Sequence, residues 1–291
     1  MTLSVIVISY NSGRLEACLE ALAAQPEAGE IVVADCSDVD PTPALAPRFP
    51  RVQFMHVGEK RSVPQLRWAA YGRTTGSIVG SFEARSVPAL DWCARMVRAH
   101  QDHPSAPAVG GPIALRTPAS PRDLGLYLCE YGPFAPPVRT GPVEDVSGAN
   151  VAYKRAALDR AADLMAAGRW ETLLHLRWRR EGLPLVLCDA TVVFENAMST
   201  ATALKQRFAY GRGYAATRLA HERRLVRVAY GAGALVLPLL LTVRLGRSLL
   251  GKGRVKAFGR ALLWILLFNA AWAAGELAGY LAGDSGHVDI Y

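Results

Sequence analysis

The opening of the chain, from Leu3 to Asp35, constrains the fold more than any other stretch. Val5-Ile6-Val7-Ile8 is a short, β-branched apolar run closed by the polar turn Ser9-Tyr10-Asn11-Ser12-Gly13, the pattern of a buried strand. Leu15, Cys18, Leu19 and Leu22 recur at the three-and-four spacing of one helix face. Glu30-Ile31-Val32-Val33-Ala34-Asp35 reads as a second strand that ends in an acid. Strand, helix and strand together make a βαβ unit with parallel strands. In open α/β sheets, ligands bind beyond the carboxyl ends of the strands. Ser9, Tyr10, Asn11 and Asp35 all fall at such ends. An Asp there also serves as a helix cap, so the unit alone leaves nucleotide binding and a local capping role both open.

The length of 291 residues gives room for one large domain and an appendage. Hydrophobic residues make up 51% of the chain, which is high for a wholly soluble protein. The mean hydropathy of +0.14 agrees. The excess lies after Leu225, which points to membrane contact there. Net charge is +8, and much of it falls in the same C-terminal third. No nucleic-acid motif accompanies the charge, so an anionic lipid surface is the expected partner and nucleic acid is not. Cys18, Cys36, Cys93, Cys129 and Cys188 are scattered without ligand spacing. They read as reduced thiols of a cytosolic domain. His56, His100, His103 and His175 also lack metal spacing and read as structural or surface residues. Met1 leads straight into the first strand, with no signal-peptide pattern.

Further strands are expected over Val52 to Val57, Ser77 to Phe82, Ala108 to Ile113, Val186 to Cys188 and Thr191 to Val193. Helices are expected over Val63 to Gly72, Ala89 to His100 and Glu171 to Arg180, the last ending at Gly182. Pro118 to Pro142 reads as a Pro/Gly-rich connection. From Ser199 the character changes. Lys205, Arg207, Arg212, Arg218, Arg223, Arg224 and Arg227 stud one helical stretch together with Phe208, Tyr210 and Tyr214, the composition of an interfacial helix. Phe208, Tyr210, Gly211, Arg212, Gly213 and Tyr214 suit either an acceptor channel at the membrane surface or a basic face lying on lipid headgroups. Two apolar segments follow, Val228 to Val243 and Ala261 to Ala282. A spanning helix needs about 20 apolar residues. The first segment is short and holds Pro238; the second carries Glu276. Arg244, Arg247, Lys252, Arg254, Lys256 and Arg260 lie between them. A spanning hairpin would put these on the face opposite a cytoplasmic domain, against the positive-inside rule. A spanning hairpin, a pair of re-entrant or interfacial helices, and an ordinary buried helical pair all stay open.

From Leu3 to Phe194 the chain resembles the family-2 glycosyltransferases with a GT-A fold. Val5 to Asn11 is similar to the family's first strand and polar turn. Asp35, followed by Ser37 and Asp40, is similar to its second strand end. Ser147-Gly148-Ala149-Asn150, followed by Lys154 and Arg155, resembles the family's Gly-x-Asn segment. Glu171, with Leu174, Arg177 and Gly182 downstream, matches the helix that bears the general base. The resemblance implies an α/β, GT-A-like mixed sheet flanked by helices. It implies nucleotide or donor contacts from Ser9, Tyr10, Asn11, Asp35, Glu83 and Arg85. Among Arg61, Arg67 and Arg73 it favours Arg67 for the donor. Gly148, Asn150 and Trp170 would stand near the acceptor or the donor sugar. An inverting transfer needs one carboxylate to take the proton of the attacking hydroxyl, and the resemblance gives that role to Glu171. Read without it, Glu171 fits a solvated carboxylate near Arg169 or His175. Trp170 replaces the first of two acids the family often carries there, and its ring suits stacking on a sugar.

The sharpest departure is Glu83-Ala84-Arg85, where the family places Asp-x-Asp. That motif holds a divalent ion on the donor diphosphate. Mg²⁺ and Mn²⁺ want several oxygen ligands. An arginine about 5 Å from such an ion, at an effective dielectric near 20, costs on the order of 7 kcal/mol before screening. Either Glu83 binds metal with Arg85 turned away, or Arg85 itself neutralises the diphosphate, or the site is dead. Pro88 and Trp92 fit the residues that usually follow the motif. Mn²⁺ or Mg²⁺ is thus a possible but doubtful cofactor, with Glu83 its only motif ligand.

The expectation is therefore a GT-A-like domain over residues 1–198 and a basic, apolar helical region over residues 199–291. It would be a membrane-associated enzyme moving a sugar from a nucleotide sugar to a lipid-linked or cell-envelope saccharide acceptor, with its catalytic domain on the cytoplasmic side. The alternative is a catalytically inert GT-A-like scaffold at the membrane.

Overall fold

The computed structural model describes residues 1–196, 198–218 and 224–282. They form two compact units. One holds Met1–Arg116 and Phe134–Ala197, the other Thr117–Pro133 and Met198–Tyr291.

The first unit opens with β1 (Leu3–Ser9), α1 (Leu15–Ala23), β2 (Ala28–Asp35), α2 (Thr42–Leu45), β3 (Val52–His56), α3 (Val63–Tyr71) and β4 (Ile78–Glu83). It continues with β5 (Ser86–Pro88), α4 (Trp92–Asp102), β6 (Ala108–Gly110) and β7 (Ile113–Leu115). The chain then contributes α5 (Pro121–Tyr131) to the second unit. Back in the first it forms β8 (Gly141–Val143), β9 (Val151–Lys154), α6 (Arg155–Asp159), α7 (Ala162–Ala166), α8 (Thr172–Arg180), β10 (Leu185–Leu187) and β11 (Val192–Phe194).

An eight-stranded sheet runs in the order β3-β2-β1-β4-β9-β6-β10-β8. β1 lies parallel to β2 and β4, and β2 to β3, while β9 is antiparallel to both β4 and β6. This is the expected mixed α/β sheet flanked by helices. β5, β11 and β7 make a small second sheet. All seven residues of β1 are buried, which fits the continuous apolar run Val5–Ile8 at its centre rather than an alternation. The main core joins Ile6, Ile8, Val32, Leu66, Tyr153, Trp170, Leu174 and Trp178. Side chains of this size each contribute about 1.5–3 kcal/mol when fully buried.

Register aligns the functional end. Ser9 pairs with Asp35, Asp35 with His56, and Ile8 with Glu83. The carboxyl ends of β1 to β4 therefore lie side by side. Ser81 of β4 pairs with Val151 of β9. The turn Ser147–Asn150 before β9 thus stands beside the end of β4 that carries Glu83.

The second unit holds α5 with α9 (Thr200–Arg218), α10 (Arg224–Ala234), α11 (Leu237–Gly251) and α12 (Val255–Ala282). The stretch of Pro118 to Pro142 read as a connection contains α5. Ser120 caps this helix by accepting from Asp123 N–H, Pro121 sits in its first turn, and Leu124, Leu126, Tyr127, Leu128 and Tyr131 are buried. α9 packs closely on α12 because glycines remove the side chains between them. A Cβ on Gly211 would run into Trp272 O, and one on Gly275 into Phe208 O. Gly211, read above as part of an acceptor channel or basic face, is a packing residue. Polar groups buried on α12 have partners. Asn269 Nδ2 donates to Thr242 Oγ1 at 3.1 Å, and Glu276 accepts from Trp272 Nε1 at 2.6 Å and Tyr280 OH at 2.9 Å. Among the described residues, α12 is the one helix long and apolar enough to cross a membrane. Leu225–Ala234 and Leu237–Gly251 meet that test only as a pair, bent by 61° at their break. Arg223 and residues 283–291 lie outside the described residues.

Candidate active site

At the end of β1, Ser9 is 2% exposed and its carbonyl accepts from Cys36 N–H at 3.1 Å. Tyr10 is half-buried, with Lys60 Nζ 5.3 Å from its ring centroid. Asn11 adopts φ 46°, a left-handed conformation that asparagine tolerates better than most residues. Its side chain clamps the next turn. Asn11 Nδ2 donates to Asp38 Oδ2 at 2.8 Å, and Asp38 N–H donates back to Asn11 Oδ1 at 3.1 Å. Asp35 is 1% exposed. It accepts from Ser37 N–H at 3.0 Å and Ser37 Oγ at 2.6 Å, and it lies 2.8 Å from His56 Nδ1. Its carboxylate organises the turn. It is not the open acceptor that its place at a strand end suggested.

Glu83 and Arg85 fold onto each other, with Arg85 Nε 2.6 Å from Glu83 Oε2. The guanidinium also lies 5.0 Å from the Phe194 ring centroid. None of the three sequence alternatives specified this pairing. A divalent cation wants several oxygen ligands, and here the one motif carboxylate already faces a cation. Among the described residues no group of three or more His, Cys, Asp or Glu gathers to hold an ion. The chain's own donors make no metal site among the described residues. An ion shared between Glu83 and a ligand's phosphates stays compatible with them.

Arg67, Gly148 and Glu171 converge. Ser62 stands just before α3 and its N–H donates to Gln65 Oε1 at 2.9 Å, which fixes the start of the helix that carries Arg67. Arg67 is 1% exposed. Its Nη2 donates to Gly148 O at 2.9 Å and its Nη1 to Glu171 Oε1. Glu171 precedes α8 with φ 54° and ψ −98°. Its side chain stays about a third exposed, at 36%. A Cβ on Gly148 would overlap the Glu171 carboxyl group, so only glycine admits that carboxylate here. Arg67, assigned above to the donor, is therefore the partner of Glu171.

Two acceptor candidates turn out to be core residues. Asn150 is fully buried. Its Oδ1 accepts from Trp92 Nε1 at 2.8 Å, and its Nδ2 donates to Pro112 O at 2.9 Å and Ala190 O at 2.8 Å. It joins α4 to two loops and has nothing left for a sugar. Trp170 is 6% exposed and packs edge-on to Tyr153, their centroids 6.3 Å apart. Its ring offers no open face for stacking. Sequence reasoning missed a further chain. Tyr153 OH lies 3.2 Å from His175 Nε2, and His175 Nδ1 lies 2.5 Å from Asp145 Oδ1. Burial pushes the Tyr153 phenol well above its ordinary value, so it keeps its proton. The available signal was His175 one helical turn after Glu171. Burial also pushes the Cys18 and Cys93 thiols up to about 12, which keeps them out of thiolate chemistry.

The model of the family described as Glycosyl transferase family 2 matches residues 4–161, more than half of the chain. The chain belongs to glycosyl transferase family 2. Solved structures share the fold of this family-2 glycosyltransferase. Mannosyltransferase PcManGT from Pyrobaculum calidifontis, in complex with GDP-Man and Mn²⁺, is 21% identical with a TM-score of 0.60, over 95% of this chain and 86% of its own. S. aureus TarS 1–349 in complex with UDP-GlcNAc is 16% identical with a TM-score of 0.52, over 68% of this chain and 60% of its own. GalNAc-T7 with UDP, GalNAc and Mn²⁺ is 13% identical with a TM-score of 0.53, over 68% of this chain and 44% of its own. The glycosyltransferase thus spans less than two thirds of TarS 1–349 and GalNAc-T7. No curated protein matches it.

Proposed function

We propose that this glycosyltransferase moves a sugar, with inversion, from a nucleotide-sugar donor to a lipid-linked or cell-envelope acceptor at the cytoplasmic face of a membrane. The observation that carries the reading is the Glu171 carboxylate, partly exposed and seated against Gly148. It stands in the turn region beside the end of β4 that carries Glu83. The acceptor hydroxyl gives its proton to Glu171 and its oxygen attacks the anomeric carbon. The bond from that carbon to the diphosphate breaks, and the electron pair leaves with the diphosphate. Arg67 holds Oε1 and so fixes the carboxylate that takes the proton. Ser9, Tyr10, Asn11 and the turn built by Asp35 bound the nucleotide. Arg85 meets the diphosphate, since a guanidinium pairs well with phosphate oxygens. The nucleotide sugars in the similar structures support a nucleotide-sugar donor.

The helical unit supports membrane association. The 61° bend of the α10–α11 pair suits a re-entrant or interfacial pair that returns its basic turn to the side it came from. That arrangement removes the conflict with the positive-inside rule. Glu171→Gln tests the chemistry. The amide keeps the shape but cannot take the proton, so transfer should fall about 10²–10⁴-fold while the donor still raises the melting temperature. Transfer at the wild-type rate would send the search for the base elsewhere.

A further inference from the structure

The polar chain behind Glu171 runs Asp145–His175–Tyr153. His175 is 2% exposed and Tyr153 1%, whereas the Asp145 side chain is 56% exposed. The donor and acceptor inventory assigns the protons. The Asp145 carboxylate only accepts, so Nδ1 carries the hydrogen between them, and in the neutral imidazole Nε2 accepts from Tyr153 OH. The ring is gripped between Tyr153 and Trp178, with centroids 5.9 and 6.1 Å away. Its own backbone N–H donates to Glu171 O at 2.8 Å. His175 therefore ties three things together: Glu171, strand β9 through Tyr153, and the loop Asp145–Asn150. That loop supplies Gly148, whose missing Cβ admits the Glu171 carboxylate and whose carbonyl holds Arg67. Glu171 keeps a positive φ, a conformation a non-glycine residue holds only when its surroundings over-determine it.

We propose that His175 is a positioning residue that, through Asp145 and Tyr153, fixes the first turn of α8 against the Asp145–Asn150 loop and so holds the Glu171 carboxylate in its notch over Gly148. It touches no substrate and acts only through Glu171. The inference rests on the reading of Glu171 as the base. A buried histidine that merely fills the core would support the fold without selecting Glu171. An outward bond to an exposed carboxylate on the loop that forms the notch is what sets His175 apart.

The test is a double-mutant cycle on the full chain, reading steady-state transfer together with donor binding by thermal shift. His175→Phe keeps an aromatic ring, slightly larger than imidazole, and removes both hydrogen bonds. It should lower kcat about 10–100-fold, the scale of a misplaced reacting group, with donor affinity within about two-fold of wild type. In the Glu171→Gln background the same replacement should change the residual rate less than about two-fold, because a group acting only through Glu171 has nothing left to position. An equal rate loss in both backgrounds, or a parallel loss of donor binding, would make His175 a structural residue and overturn the inference. Should His175→Phe not fold, Asp145→Asn, on a mostly exposed side chain, enters the cycle in its place, with the same non-additivity expected and additivity overturning the proposal. Failure of the base reading is a separate result, seen as Glu171→Gln alone transferring at the wild-type rate.

Discussion

Gly148 has the tightest steric requirement at the site, and one methyl group probes it. Gly148→Ala would drive a Cβ into the Glu171 carboxyl group and push that side chain off its seat. Transfer should fall about 10²-fold while the donor-induced rise in melting temperature persists; steady-state kinetics beside a thermal-shift titration checks this. His100 makes a different demand. It is fully buried, its Nε2–H donates to Ala152 O at 3.1 Å, and its buried Nδ1 has no partner among the described residues. Burial drops its pKa to about 4 from the model-compound value of 6.5. The unfolded chain therefore binds the proton more readily than the folded one within that window. The stability tied to neutral His100 is fully present above about pH 6.5. It is lost as pH falls toward 4, by on the order of 3 kcal/mol. In urea unfolding, His100→Gln, which keeps a donor for Ala152 O, should show a shallower loss of stability between pH 6.5 and 4 than wild type.

At the scale of elements, the end of β4 decides how much the enzyme depends on metal. Arg85 occupies the Glu83 carboxylate, so activity should depend only weakly on added Mn²⁺. Arg85→Ala removes that cation. It should weaken donor binding and steepen the Mn²⁺ dependence, because Glu83 can then share an ion with the diphosphate. A Mn²⁺ titration of both proteins reads the difference, and identical curves would mean the pair has no bearing on the ion. β1 to β4, α1, α3, α4 and α8 were legible because each carries its own pattern, whereas Ala108 to Ile113, read as one strand, divides between β6 and β7 in separate sheets. Val5–Ile8 of β1 and Ile31–Ala34 of β2 are continuous apolar runs, and Gly182, just past the end of α8, adopts φ 74°. α5 was hidden by the prolines around it, although Ser120-Pro121 followed by Asp123 was a readable helix start. The contacts among the candidate site residues were not legible in the sequence. Arg67 meets Glu171 across 104 residues, and Asn150 meets Trp92 across 58. No local periodicity encodes such distances. Asn150 and Trp170 therefore read as ligand contacts until their burial was known.

At the scale of the whole molecule, exposed apolar residues concentrate in the helical unit. Leu235, Val236, Leu239, Leu240 and Leu263 are each more than half exposed, beside the cations of α11 and the α11–α12 turn. The full-length protein should float with vesicles containing anionic lipid, and added salt should weaken binding, since basic residues near such a surface each contribute about 1 kcal/mol that salt screens. Leu239→Glu with Leu240→Glu should reduce flotation without lowering donor affinity. Equal flotation of wild type and variant would place the contact elsewhere. The path of the backbone carries one more consequence. The chain leaves the catalytic unit after Arg116, returns at Phe134 and departs again at Met198. α5 thus belongs to the helical unit but is encoded inside the catalytic one, with Leu126 in a cluster with Ala203 and Phe268. A cut at Met198 would strand α5 with its apolar face uncovered, at about 1.5–3 kcal/mol for each large side chain. The tail is therefore not a cassette: a gene fusion or chimaera made at one splice point cannot exchange the helical unit whole.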